Sequence, residues 1–448
     1  MVDESAFPEA SVLLAFRAGN VRSFAEPFEL SLLATTMAKK EGVRQVTWRQ
    51  GGRPLGVLPV AGIFGANASG KSNVLRAMND MRLHVLHSFR SSSPTGGILR
   101  RPYSLEPAYR SAPSRFEIDL VLHGVRHEYG FVLDDAKVLE EWAYHYPRGR
   151  PALLFHRRPE GVDLGSADRA KGRAVLELLR PNALFLSTAA SANHGGLLPL
   201  YAWFERNLLL AEAGSRPFRQ AVTAQLLDDA TMRNRVLDLL RAADLGITGA
   251  RQIEPDPVTR ERMQRALRII LGREEEPDGL ADGTDISSFG VALTHRGADA
   301  EVDMDAEDES LGTLVWFGLV GPVVSALATG AVMLADELDS SLHPALVAQL
   351  VRLFQDQRSN PRRAQLIFNS HDAALLGDTG EESALGRDQV WFTEKSGGAS
   401  RLYPLSDLAP RKDEAVGKRY LAGRYGAVPI LSHGQFVAAI GDLTPGVE

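Results

Sequence analysis

The 448-residue sequence contains no cysteine, which removes disulfides, zinc–thiolate sites and thiol nucleophiles together and fits a reducing cytoplasm. It also lacks a large excess of either charge. Fifty Lys and Arg against 56 Asp and Glu leave a net charge of −6, so there is no global electrostatic footprint for nucleic acid. A secretory leader is not expected, because Asp3, Glu4 and Glu9 stand where a leader carries positive charge. One uncharged run, Leu311 to Ala335, is long enough to span a bilayer. It has no Lys or Arg anchor, is flanked by acids (Asp303 to Glu309, then Asp336 and Glu337), and contains Gly321-Pro322 and Gly330. The reading is a buried helix, a turn at Thr329-Gly330 and a buried strand, with no membrane contact.

What is present is 44% hydrophobic and too long for one ordinary core, so two or three lobes are expected. Gly65-Ala66-Asn67-Ala68-Ser69-Gly70-Lys71-Ser72 fits the phosphate-loop pattern G-x4-G-K-[ST]. The apolar run Val60 to Phe64 before it predicts a strand, and Asn73 to Met78 continues from Ser72 as a helix. At such a turn the glycines let backbone N–H groups point inward, and the helix dipole adds attraction for phosphate. Lys71 would bind the β- and γ-phosphates of ATP, and Ser72 would supply a hydroxyl to Mg²⁺.

Val332 to Ala335 reads as a buried parallel strand that delivers Asp336 and Glu337 to its carboxyl edge, where alternate residues point opposite ways. Asp336 is then the candidate Mg²⁺ ligand and Glu337 the candidate for activating water. A second strand, Gln365 to Asn369, ends in Ser370-His371-Asp372. Its place at the same sheet edge makes His371 a candidate sensor of the γ-phosphate.

Along the chain, Ser11 to Phe16 and Phe28 to Leu33 predict a hairpin beside the phosphate loop, and Phe116 to Leu122 with His127 to Leu133 predict an antiparallel meander. Ser91 to Pro113 reads as loop. Helical periodicity follows over Ala174 to Leu179, Leu198 to Ala213, Phe218 to Asp229, Arg233 to Ala243 and Arg260 to Leu271. The acidic runs Glu274 to Gly279 and Asp299 to Glu309 read as solvated loops, so Asp303-Met304-Asp305 is not taken as a metal site. The resulting division is 1–174 for a first lobe, 175–285 for a helical insertion and 286–448 for a second lobe.

The order of phosphate loop, Glu309-Ser310-Leu311-Gly312-Thr313, Leu334 to Pro344 and Ser370-His371 resembles an ABC-type ATPase head of the SMC, RecF and OLD group. Asn20-Val21-Arg22-Ser23-Phe24 is similar to the start of those heads. Within the group the chain looks most like the stand-alone bacterial ATPases of the RloA and AbiLi kind, linked to abortive infection and phage defence; the likeness runs to the ending Tyr420 to Pro429. It implies an α/β P-loop NTPase fold with an N-terminal antiparallel β lobe, a helical insertion and a parallel-sheet core.

For the site, the resemblance implies a cytoplasmic, Mg²⁺-dependent ATPase in which Gly65, Asn67, Gly70, Lys71 and Ser72 bind the nucleotide. Ser310 and Gly312 would be the signature contacting the γ-phosphate held by a second copy, and Asp339 would bridge the copies. Ser310 is also a good N-cap for the helix beginning at Leu311, and a helix N-terminus attracts anions. Such heads usually carry a first-lobe glutamine as a Mg²⁺ and water ligand, whereas no Gln occurs between Ser72 and Arg219. The 77 residues after His371 are too few for the nuclease domain of OLD proteins. The expectation is an ATP-dependent homodimer that controls a separately encoded effector, a nuclease or toxin, docked on Leu198 to Leu271. The alternative is a RecF-like DNA-binding ATPase that uses the basic stretches Arg82 to Arg101 and Arg411 to Arg424.

Overall fold

The computed structural model describes residues 11–440 apart from 39–41, 50, 167–168, 254–289, 378–382, 412–413 and 430–431. Two sheets organise it. A seven-stranded antiparallel sheet runs in the order Gly161–Leu164, Ala152–Arg158, Val138–His145, Val125–Leu133, Ser114–Leu122, Val12–Gly19 and Phe28–Ser31. A six-stranded sheet runs Leu208–Ala211, Val332–Ala335, Gln365–Asn369, Val60–Gly65, Val390–Ser396 and Ala399–Pro404, with the first five strands parallel. Smaller sheets of three strands (Ile247–Ile253, Gly290–Arg296, Glu301–Asp305) and two strands (Arg44–Val46, Leu55–Val57) complete it.

The parallel sheet is buried on both faces because its strands alternate between two cores. Ala61, Ile63, Leu334 and Ile367 face a core shared with the antiparallel sheet and the helix Lys71–His87. Val60, Phe64, Met333, Leu366 and Phe368 face a second core closed by the helices Leu311–Thr329 and Pro344–Gln355. The latter helix buries Val347, Leu350, Val351 and Phe354, the spacing of a single helical face, and starts from His343, whose Nδ1 accepts from Ala345 N at 3.2 Å. Gln365 stitches the two sheets. It accepts from Leu13 N at 2.7 Å and donates to Leu13 O at 2.9 Å and Leu58 O at 3.3 Å, all buried.

The uncharged run is a helix, Leu311–Thr329, ended by Gly330 at φ 74°, followed by the strand Val332–Ala335. By length and composition this helix could cross a membrane, but it is largely buried inside the head. It continues through Pro322 because Thr223 enters the gap in its hydrogen-bond ladder: its hydroxyl donates to Phe317 O at 2.7 Å and accepts from Gly321 N at 3.0 Å.

Several readings change. The stretch taken as helix from Leu198 to Ala213 ends at Arg206, and Leu208–Ala211 pairs with Val332–Ala335 as the outer strand of the parallel sheet. The block drawn as 175–285 is therefore not a separate helical body; it contributes to the central sheet. The acidic segment taken as a solvated loop contains an edge strand, Glu301–Asp305, and the loop at 91–113 holds the short helix Pro107–Ser111. Asp336 and Glu337 follow their strand in a turn, so strand alternation is not what separates them. The predicted helix 260–271 and the acidic run 274–279 lie outside the described residues.

Candidate nucleotide site

The carboxyl edge of the parallel sheet opens onto a cavity of about 870 Å³. The helix Lys71–His87 points its N-terminus there. Gly70 precedes it at φ 110°, with no side chain capping the free N–H groups. Only glycine fits: an added Cβ would come within 2.4 Å of Ser400 Oγ and 2.9 Å of Ser23 Oγ. The loop is anchored from behind by Ser69, whose hydroxyl meets Thr393 Oγ1 at 2.6 Å, while Asn67 is exposed at the cavity wall. The Asn20 to Phe24 segment docks on this helix through Arg22, which grips Asp80 with two bonds of 2.6 and 2.7 Å, and through Ser23, which accepts from Asn73 Nδ2 at 2.8 Å.

Lys71 donates to Gly65 O at 2.8 Å and Ala66 O at 3.0 Å, and its Nζ lies 3.3 Å from His371 Nδ1. Burial lowers its pKa to about 8, against the opposing pull of Asp339, Glu337 and Asp336. His371 is exposed at the rim, its pKa lowered by desolvation and then by Lys71 despite Asp339 and Glu337. The imidazole is thus neutral near pH 7, and its backbone N–H donates to Asp339 Oδ2 at 2.9 Å.

Asn369, fully buried at the end of its strand, ties the rest together. Its Nδ2 donates to Asp336 Oδ1 at 2.5 Å and to Ser72 Oγ at 3.3 Å, and its Oδ1 accepts from Glu337 N at 2.5 Å. That last bond holds Glu337 at φ 53°, a left-handed conformation that costs a residue with a side chain on the order of 1–3 kcal/mol. The strain keeps the Glu337 carboxylate exposed on the cavity while Asp336 turns inward, buried. Ser72 and Asp336 thus offer two hard oxygens gathered round one amide. This donor set fits Mg²⁺, which takes few protein ligands and completes its shell with water and phosphate.

The expected residues do not all meet. Asn67, Gly70, Lys71, Ser72, Glu337, Asp339 and His371 border the cavity, Gly65 and the buried Asp336 lie just behind its lining, and Ser310 and Gly312 are not part of it. Ser310 is exposed and caps its own helix, accepting from Thr313 N at 3.1 Å; Gly312 lies against Ser341 O, which a Cβ there would approach to 2.9 Å. Asp303, from the D-x-D, is bound by Arg251 Nε at 2.7 Å and Thr294 Oγ1 at 2.8 Å, and no metal-holding group of three His, Asp or Glu occurs among the described residues. Sequence reasoning missed Asn369, whose only signal is a polar residue closing an apolar strand, and Arg76, which also lines the cavity.

Residues 60–377 match a family described as "AAA domain, putative AbiEii toxin, Type IV TA system". The chain belongs to this AAA family. Its members are P-loop ATPases, and membership implies that the chain binds a nucleotide, which in this family usually comes with Mg²⁺. No curated protein matches the sequence. Among solved structures, the SMC head domain from Thermotoga maritima is 13% identical over 88% of this chain and 98% of its own, with a TM-score of 0.37. An Smc head bound to the C-terminal domain of ScpA, derived from Pyrococcus furiosus, is 12% identical over 89% and 98%, also at 0.37. An SmcHead bound to the C-winged helix domain of ScpA is 13% identical over 89% and 99%, at 0.40. No residue role is taken from these three.

Proposed function

We propose that this AAA-family chain is an ATP-driven switch: two copies close face to face on ATP, Glu337 activates water to cleave the γ-phosphate, and the cycle controls a separately encoded effector in a toxin–antitoxin or abortive-infection setting. The observation that carries this reading is a separation. Lys71, Glu337, Asp339 and His371 share one cavity, while the helix end at Ser310, an anion-binding type of site, is exposed elsewhere. A single copy therefore binds nucleotide from one side only, and the γ-phosphate is the surface on which a second copy's Ser310 and Gly312 can close.

In that cycle Lys71 leaves the carbonyls of Gly65 and Ala66 for the phosphates, and Ser72 and Asp336 would hold Mg²⁺, which would supply neutralising charge there. Glu337 accepts the proton of the attacking water. His371 reports the γ-phosphate to Asp339, to which it is already joined. Among the described residues no group of three His, Asp or Glu could hold a metal, and in this reading the switch acts on something else. The family's description supplies the toxin–antitoxin context, and Leu198 to Leu271, of which 254–271 lies outside the described residues, remains the proposed docking region for the effector. The DNA-binding alternative gains little from the arginines proposed for it: Arg82 donates to Phe204 O, and Arg100, its side chain 1% exposed, is bound to Asp135.

Light scattering on wild type and Glu337→Gln tests the switch. ATP should convert the variant into stable dimers while nucleotide-free protein stays monomeric. Monomers in both proteins at saturating ATP would end this reading.

A further inference from the structure

Two acidic residues end neighbouring parallel strands, and only Asp336 has so far been given a role. Ala211 and Ala335 are register partners, and Asp336 donates its backbone N–H to Ala211 O at 3.1 Å. The residue after Ala211 is Glu212, whose backbone therefore lies beside Asp336 at the carboxyl edge of the sheet. Arg76 holds its carboxylate there: Nε and Nη2 reach Glu212 Oε1 at 2.7 and 2.6 Å, and Nη2 lies 3.5 Å from Asp336 Oδ2. Arg76 stands four residues after Ser72 on the helix Lys71–His87, on the same face one turn further on.

One guanidinium thus sits against two carboxylates and can neutralise only one. The surplus negative charge remains where Ser72 and Asp336 would hold Mg²⁺. Arg76 borders the cavity, whereas Asp336 and Glu212 lie behind its lining, and the Arg76 guanidinium already holds Glu212 Oε1 at 2.7 and 2.6 Å, which favours contact of Glu212 with the ion through water over direct ligation.

We propose that Glu212 is a further carboxylate of the cation site, accepting a hydrogen bond from a water in the ion's shell, and that Arg76 is the positioning residue that keeps it beside Asp336. The inference rests on the ATP reading above. Partners of this kind change metal affinity by about 10–100-fold when removed.

The test titrates Mg²⁺ into the full chain with a non-hydrolysable ATP analogue, reading analogue affinity by calorimetry, with a parallel arm in EDTA. Glu212→Ala should raise the Mg²⁺ needed for half-effect by about tenfold or more and leave EDTA-arm binding unchanged. Glu212→Gln, which still accepts from Arg76 and preserves the fold, should shift it less. Arg76→Ala should resemble Glu212→Ala, and Arg76→Lys should recover part of the loss. An unchanged Mg²⁺ requirement in both Glu212 variants, with only a lowered melting temperature, would reduce the contact to a structural ion pair and overturn the proposal. Wild-type protein that binds no analogue with or without Mg²⁺ would instead sink the ATP reading, and this inference with it.

Discussion

The chain carries two helix N-termini suited to anions, and they are built in opposite ways. At Lys71 the cap is Gly70, which offers no side chain, so the first N–H groups are left for a ligand and the surrounding loop closes a cavity over them. At Leu311 the cap is Ser310, whose hydroxyl satisfies Thr313 N itself, and the end is exposed. The first terminus leaves its leading N–H groups without a side-chain cap, whereas the second caps its own. In the proposed cycle the first end binds phosphate and the second is brought to it.

Four changes sharpen or break that contrast. Glu337→Gln has the largest expected effect: turnover falls about 10²–10⁴-fold while nucleotide affinity holds, as single-turnover and binding measurements on one preparation would show. Gly70→Ala attacks the capturing end. Left-handed strain and the clash with Ser400 cost about 1–3 kcal/mol, read as roughly 10–100-fold weaker ATP binding.

The third change is pH. Burial holds Lys71 at a pKa of about 8, so above that pH the lysine is neutral and ATP binding must take up a proton. Affinity should therefore fall as pH rises, approaching about tenfold per unit beyond 8. Lys71→Arg keeps its charge and should flatten the profile; equal slopes for both proteins would contradict the assignment. Smallest is Ser310→Ala, which removes the cap at a cost of about 1 kcal/mol in chemical denaturation and should weaken ATP-dependent pairing by a similar amount.

The capturing end was legible because its chemistry is consecutive in sequence: eight residues, a strand before them and a helix after. Asp336, Glu337 and His371 were legible because each follows an apolar strand. Asn369, Arg76 and Glu212 were not, since their roles depend on which strands become neighbours. Leu208–Ala211 shows why. Apolar spacing runs on from the preceding helix through Asn207, and only pairing with Val332–Ala335 decides for strand. In Glu301–Asp305 the alternation was visible at Val302 and Met304, but the acidic composition outweighed it. What lets the helix pass through Pro322 was not legible, because the hydroxyl beside the break comes from Thr223, far away in sequence.

Gln365 has a mechanical consequence. Two of its three buried bonds join Leu13, in the strand Val12–Gly19 of one sheet, to the strand Gln365–Asn369 of the other, and the third ties in Leu58 O just before the phosphate-loop strand. Prying the lobes apart at that seam would leave buried polar groups unmatched at about 1–3 kcal/mol each. The seam is thus a weld rather than a hinge, and the two sheets it joins move as one piece.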